Sequence, residues 1–317
     1  MNNINLSIII PHYNSPDYLE RLLRSIPQRD DLQVIVVDDR STERLTEYES
    51  CQQRFSQAGV IFLRNEGIKG AGASRNIGLL HAVGKWLIFA DADDYFLEGF
   101  YEMVSHYFND KADMVYFPPT SCEETTGREG NRHWETAGRI EAYRLNKTHD
   151  NELKMRYKIV GPWSRIIRRE MVNRNSIKFD EVMHSNDVMF SVKVAFYSKH
   201  VSASAAIIYC ISCNGTSLTT NTSKAVYKQR INVWLEYYLF LRNHLSHKEF
   251  MILDLHGAGR IMTGIKNKVG IKLVWKTIAE MRKNRVALVP HGFLKPVNWQ
   301  ERIYFHLRKK RLGAGQR

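Results

Sequence analysis

Five short apolar runs alternate with amphipathic stretches in the first 117 residues, and this alternation constrains the fold more than any other feature. Leu6-Ser-Ile-Ile-Ile10, Gln33-Val-Ile-Val-Val37, Val60-Ile-Phe-Leu63, Trp86-Leu-Ile-Phe-Ala90 and Ala112-Asp-Met-Val-Tyr-Phe117 read as strands. Residues 16–26 carry Leu19, Leu22, Leu23 and Ile26 at helical spacing, and helices are expected over 43–57, 71–82 and 97–108. Continuous apolar strands separated by helices imply an α/β protein with a parallel sheet covered on both faces.

Three of these strands run directly into polar clusters: Pro11-His12-Tyr13-Asn14, Asp38-Asp39-Arg40-Ser41 and Asp91-Ala92-Asp93-Asp94. In an open α/β sheet, ligands bind outside the carboxyl ends of the strands, so parallel strands would bring all three clusters to one rim. Carboxylates crowded there repel one another unless a cation or a hydrogen-bond donor engages them. Asp93 with Asp91 or Asp94 suits a hard divalent ion bridging to two phosphates. Asp38 or Asp39 suits a neutral nucleobase N–H or a ribose hydroxyl. Helix capping by Asp39, Ser41 and Asp94 is the alternative use of these side chains.

Beyond the fifth strand, residues 118–151 turn Glu-, Thr-, Gly- and Arg-rich and read as an excursion or mobile loop. Regular structure is expected again over 163–172 and 187–196 and in the strand-like Ala205-Ala-Ile-Ile-Tyr209. After Ser223 the pattern is helical, over 226–245, 248–260, 271–282 and 299–311, which divides the chain near residue 220. Charge divides it too. The net charge is +13, yet residues 1–259 carry 31 charges of each sign, while 260–317 hold 15 Lys/Arg and 2 Asp/Glu. Near the end, Trp299, Ile303 and Leu307 recur every four residues among Arg302, Arg308, Lys309, Lys310 and Arg311, as in a helix lying on an anionic bilayer. Packing on the first domain, or a homo-oligomer contact, are the other uses of such a stripe. The start of the chain has neither a basic stretch nor an apolar signal region, and no apolar run reaches the ~18–20 residues of a membrane span. A cytoplasmic protein, peripheral on the inner face of the cell membrane, is expected. Cys210-Ile-Ser-Cys213 has metal-like spacing but no second pair.

Ser7-Ile-Ile-Ile-Pro-His-Tyr-Asn14, Val34-Ile-Val-Val-Asp-Asp-Arg-Ser-Thr42, Ala73-Ser-Arg-Asn-Ile-Gly78 and Phe89-Ala-Asp-Ala-Asp-Asp94 resemble the successive signatures of glycosyltransferase family 2. These are inverting, nucleotide-sugar-dependent enzymes with the GT-A fold, and the likeness covers residues 4–220. It implies a Rossmann-like, mostly parallel central sheet flanked by helices in a catalytic domain, 1–220, followed by a helical, basic C-terminal region, 221–317. By position, the resemblance implies that Pro11, Tyr13 and Asn14 frame the nucleotide base and that Asp39, beside Asp38, contacts uracil. It implies Lys69, Arg75 and Asn76 near the nucleotide and diphosphate. Asp91-Ala92-Asp93 matches the D-x-D element, with Asp93, assisted by Asp91, as ligand of Mn²⁺ or Mg²⁺ and Asp94 as a donor-sugar contact. Pro162-Trp163-Ser164, Ile177-Lys-Phe179 and Asn186-Asp187 resemble the acceptor-side segment, whose usual Glu-Asp pair ends in the catalytic base. Asp187 matches that base and Asn186 replaces the Glu; Trp163 packs under a sugar ring or fills the core, and His184 lies nearby. Thr216-Ser217-Leu218-Thr219 resembles the segment that closes over the phosphates.

The expected activity is transfer of a sugar from a UDP-sugar to a hydroxyl of a bacterial surface glycan, lipid-linked as in lipopolysaccharide or capsule assembly. A sugar-phosphate nucleotidyltransferase, or a non-catalytic protein binding nucleic acid or anionic surfaces, are the rival readings. No nucleic-acid partner is expected, because the basic residues are not interleaved with a stacking platform.

Overall fold

The computed structural model describes residues 4–213 and 222–290. The chain divides into two compact units, Met1–Asn221 and Thr222–Arg317.

The first unit opens with β1 (Leu6–His12), α1 (Pro16–Arg24), β2 (Leu32–Asp38), α2 (Leu45–Ser56), β3 (Ile61–Arg64), α3 (Ala71–His81) and β4 (Trp86–Phe89). Then come β5 (Tyr95–Phe96), α4 (Phe100–Ser105), β6 (Met114–Tyr116), β7 (Thr120–Glu123), α5 (Trp134–Leu145) and α6 (His149–Lys158). The unit closes with β8 (Arg165–Arg168), α7 (Arg169–Arg174), α8 (Val188–Tyr197), β9 (Val201–Ala203) and β10 (Tyr209–Cys213). Seven strands form one sheet in the order β3-β2-β1-β4-β8-β6-β9; β5, β10 and β7 form a small second sheet.

β1, β2, β3 and β4 are parallel, with β1 between β2 and β4 and buried along its whole length, as its uninterrupted apolar run dictates. The register pairs His12 with Asp38 and Asp38 with Arg64, so the carboxyl ends of β1, β2 and β3 lie level. Helix α1 starts with Pro16, whose missing N–H costs nothing there, and buries Leu19, Leu22 and Leu23. Helix α3 lies so close to β1 that a Cβ on Gly78 would stand 2.4 Å from Ile9 Cγ2. Gly78→Val is therefore expected to destabilise the protein by about 1–3 kcal/mol through overpacking. A thermal melt reads this as a lower Tm, and an unchanged Tm would mean that α3 moves off the sheet without cost.

The seven-stranded sheet is mostly parallel, as expected, with β8 alone running antiparallel, to both β4 and β6. The structure departs from the sequence reading in three places in this unit. The polar stretch 118–151 is not a loop excursion but folds into β7, α5 and the start of α6. There Ile140 and Tyr143 on α5, and Leu153, Met155 and Tyr157 on α6, bury an apolar stripe, and Thr148 caps α6 by accepting from Asn151 N. The helix expected over 97–108 shortens to α4, entered through left-handed Gly99 (φ 75°). The expected strand at 205–209 is replaced by β9 before it and β10 from Tyr209 onward.

The second unit is helical among its described residues: α9 (Lys224–His244), α10 (His247–Leu253), α11 (Ala258–Lys266) and α12 (Ile271–Lys283). Ser223 caps α9, and Ser246 with Glu249 forms a reciprocal capping box on α10. The single helix expected over 248–260 is broken by Asp254, at φ 44°. The basic stripe at 299–311 and the Thr216–Thr219 segment lie outside the described residues. Among the described residues no helix is long and apolar enough to cross a membrane.

Candidate functional site

The end of β1 is welded to the end of β2. Ser15 N–H donates to His12 Nε2 (3.2 Å), which leaves the ring proton on Nδ1, facing Asp38 Oδ1 at 2.9 Å. Tyr48 stacks on the imidazole at 4.8 Å. Ser41 donates to Asp38 through both its N–H (3.0 Å) and its hydroxyl (2.6 Å). Burial pushes the Asp38 carboxyl up, but the bonds from His12 and Ser41 outweigh it and hold the group below the ordinary aspartate range. Asp39 is equally occupied, accepting from Asn65 Nδ2 (2.6 Å) and from Gly70 N–H (2.8 Å), which ties β2 to the start of α3. Both carboxylates, read from sequence as base or ribose contacts, are buried members of the loop scaffold.

Pro11 is buried within β1, and Asn14 turns the chain at φ 52° while its Oδ1 accepts from the N–H groups of Thr42 (2.8 Å) and Glu43 (3.1 Å). Tyr13, by contrast, is exposed, with Lys69 Nζ 3.9 Å from its ring centroid. Bonds from Lys69 and Thr42 hold its phenol below the ordinary tyrosine pKa. Of the residues expected around the base, the structure presents this aromatic–cation pair most openly.

The acidic run after β4 divides its labour. Asp94 is buried; Tyr209 OH donates to its Oδ2 (2.8 Å) and Ser212 N–H to its Oδ1 (2.8 Å), while the same Tyr209 oxygen accepts from Asp91 N–H (2.9 Å). Asp94, expected as a donor-sugar contact, anchors the loop to β10 through these bonds. Burial, followed by the charges of Asp91 and Asp93, drives its carboxyl well above the usual range. Ala92 is buried, and Asp91 and Asp93 are half-exposed. Arg21 holds the loop from the other side, donating to Asp93 O (2.5 Å), Ser212 Oγ (2.8 Å) and Glu124 Oε1 (2.6 Å).

Mutual repulsion within this carboxylate run is the feature that a divalent cation relieves, and its all-oxygen donor set suits Mg²⁺ or Mn²⁺. Among the described residues no three His, Cys, Asp or Glu side chains converge on one point. An ion carried mainly by phosphate and water, with Asp93 and Asp91 as protein ligands, fits that arrangement.

One side chain joins this run to the acceptor-side segment. Arg75, buried on α3, donates from Nη2 to Asp91 Oδ1 (2.5 Å) and from Nη1 to Asn186 Oδ1 (2.8 Å), with its guanidinium 5.3 Å over Phe179. Asn76, expected near the diphosphate, clamps the segment before α8, donating to Phe179 O (3.0 Å) and accepting from Phe179 N–H (2.9 Å). Gly72 is required beside it, since a Cβ there would meet Asp180 O at 2.1 Å.

Asp187 occupies the N-cap position of α8, yet its side chain makes no capping bond. Burial pushes its carboxyl up, Arg75 opposes that, Asp91 adds to it and Arg165 again opposes. Arg165 was missed in the sequence: it is 1% exposed, donates to Ser191 Oγ (2.8 Å) and Gly161 O, and faces Tyr116. Its signal was a charged residue directly before the apolar pair Ile166-Ile167. Trp163 stacks parallel on Tyr209 (5.9 Å, 8°) against the core, which favours its packing role on that face. His184 is half-buried in the turn before α8, where Ser185 has φ 61°. Cys210 and Cys213 are free and sit three apart on β10, hence on opposite faces, so they cannot share a metal.

Comparison with known proteins places the family and the fold. Residues 7–175, more than half of the chain, match the family model Glycosyl transferase family 2. EpsH of Bacillus subtilis (strain 168), named as a glycosyltransferase, is 23% identical over 262 residues, 77% of this chain and 71% of its own. Staphylococcus aureus TarS 1–349, solved in complex with UDP-GlcNAc, superposes with TM-score 0.68 at 19% identity, covering 89% of this chain and 81% of that one; of the longer TarS chain the match spans 49%. The mannosyltransferase PcManGT of Pyrobaculum calidifontis, solved with GDP-Man and Mn²⁺, gives TM-score 0.57 at 18% identity over 88% of this chain and 75% of that one. These structures share the α/β fold with a mostly parallel sheet, of the GT-A type. The chain belongs to glycosyltransferase family 2 and is a glycosyltransferase.

Proposed function

We propose that the protein transfers a sugar from a UDP-sugar, with inversion, to a hydroxyl of a bacterial surface glycan that is lipid-linked. The observation that carries this reading is the Arg75 bridge, which holds the acidic run after β4 and the segment bearing Asp187 to one guanidinium. Donor-side and acceptor-side groups thereby act on one reaction centre. The solved complex of TarS with UDP-GlcNAc supports a uridine nucleotide sugar, and UDP-GlcNAc is the first donor to test.

In this reading Tyr13 and Lys69 receive the base and its phosphates. Asp187 accepts the proton of the attacking hydroxyl, and the hydroxyl oxygen approaches the anomeric carbon from the face opposite the nucleotide. Asp93 and Asp91 would hold Mn²⁺ or Mg²⁺. Such an ion, when bound, neutralises charge on the departing diphosphate. Trp163 and His184 lie on the acceptor side. The units 1–220 and 221–317 serve as catalytic domain and basic accessory region, and the protein works at the inner face of the cell membrane. Family membership favours glycosyl transfer over nucleotidyl transfer and over a non-catalytic binding role.

A panel of nucleotide sugars offered with Mn²⁺ or Mg²⁺ tests the donor. UDP release and thermal stabilisation are expected with a UDP-sugar and not with GDP- or CMP-sugars. A response to GDP- or CMP-sugars alone would overturn the donor assignment.

A further inference from the structure

The second unit carries an exposed apolar surface built from none of the candidate-site residues. Helices α11 and α12 meet at the turn 267–270, where Lys268 (φ 51°) and Gly270 (φ 97°) adopt left-handed backbone. On either side of that turn Met262, Ile265, Ile271 and Trp275 stand 62%, 53%, 71% and 60% exposed. Both helices already have an inner face. Gly264 lies against Tyr227, and Val274, Thr277 and Met281 are buried. The exposed apolar side chains therefore belong to the outward sides of the pair. Lys266, Lys268, Lys272 and Lys276 are exposed among them, and no Asp or Glu occurs between Asp254 and Glu280.

Four large apolar side chains in water at one turn mark a binding surface. Their surround selects the partner. Apolar tips entering an acyl boundary, with lysine ammonium groups left at the phosphate level, match an anionic bilayer. A second copy related by a two-fold axis would set the same four lysines against one another. The chain's own residues 291–317 carry seven Lys/Arg against one Glu, so like charge opposes their docking there.

We infer that the turn between α11 and α12 docks on anionic lipid, with Ile271 and Trp275 inserting and the four lysines engaging headgroup phosphates. The inference places membrane contact within the folded helices, separately from the basic stripe at 299–311, and does not depend on the donor assignment. Full-length protein is co-sedimented with vesicles of phosphatidylcholine alone or mixed with phosphatidylglycerol. Wild type should pellet with the mixed vesicles only. Ile271→Ser/Trp275→Ser and, separately, Lys266→Gln/Lys272→Gln should each weaken that partition about tenfold or more, because apolar insertion and charge contribute independently. All four positions are solvent-exposed, so the fold should survive, with unchanged melting as the control. Wild-type partition by both variants would overturn the inference. So would equal binding to neutral vesicles, or a wild-type dimer that the Trp275 variant dissociates with lipid binding intact. The assay contains no nucleotide, so its failure leaves the donor experiment untouched.

Discussion

Asp187→Asn should reduce turnover by roughly two to four orders of magnitude while leaving the donor KM close to wild type. Asparagine keeps the shape of the side chain and removes the basic oxygen. The N-cap position of α8 loses nothing, because Asp187 makes no capping bond there. Stability should therefore stay near wild type, separating lost chemistry from lost fold. The pH profile supplies a second readout. Burial lifts the Asp187 carboxyl above aspartate's ordinary 3.8, so the acid limb of kcat/KM should lie above that value, activity falling as the base protonates. Arg75→Met removes the guanidinium that opposes this lift, and should move the limb further toward neutral pH. A variant Asp187→Asn within tenfold of wild type would place the base elsewhere.

Asp93→Asn should also cost about two to four orders of magnitude, through the leaving group rather than the nucleophile. Activity titrated with Mn²⁺ should require far more metal than wild type. The thermal stabilisation given by UDP with Mn²⁺ should shrink, a readout that needs no turnover. Asp94→Asn is expected to behave differently. Its oxygens are bonded to Tyr209 and Ser212, so the substitution should lower Tm as well as rate. If Asp93→Asn binds UDP with Mn²⁺ as wild type does, Asp93 is not a metal ligand.

The rim was legible because its strands are apolar throughout and end abruptly in polar residues, a pattern that fixes both strand and direction for β1, β2 and β4. The division of labour within each cluster was not. Asp38 and Asp39, or Asp91 and Asp94, are the same residue type in the same run, and only the partners brought by distant segments separate scaffold from surface. His12 and Asn65 claim the first pair, and Arg75 and Tyr209 the second. The bonds of Asn76 were hidden for the same reason, since its partner Phe179 lies 103 positions away. The reversed strand β8 carries no directional mark, as Arg-Ile-Ile-Arg reads alike in either sense. Helices α5 and α6 were hidden by charged residues on their outer faces, with few apolar positions to betray a period.

The Arg75 crosslink has a consequence for how such enzymes diversify. The segment bearing residue 186 cannot be exchanged as an independent cassette, because that residue is held by a side chain encoded far upstream on α3. A transplanted loop bearing a larger or apolar residue at that position would strand a buried guanidinium beside Asp91. Recombinants between relatives should therefore tolerate crossovers that carry both positions from one parent, and lose function when the two come from parents with mismatched chemistry there.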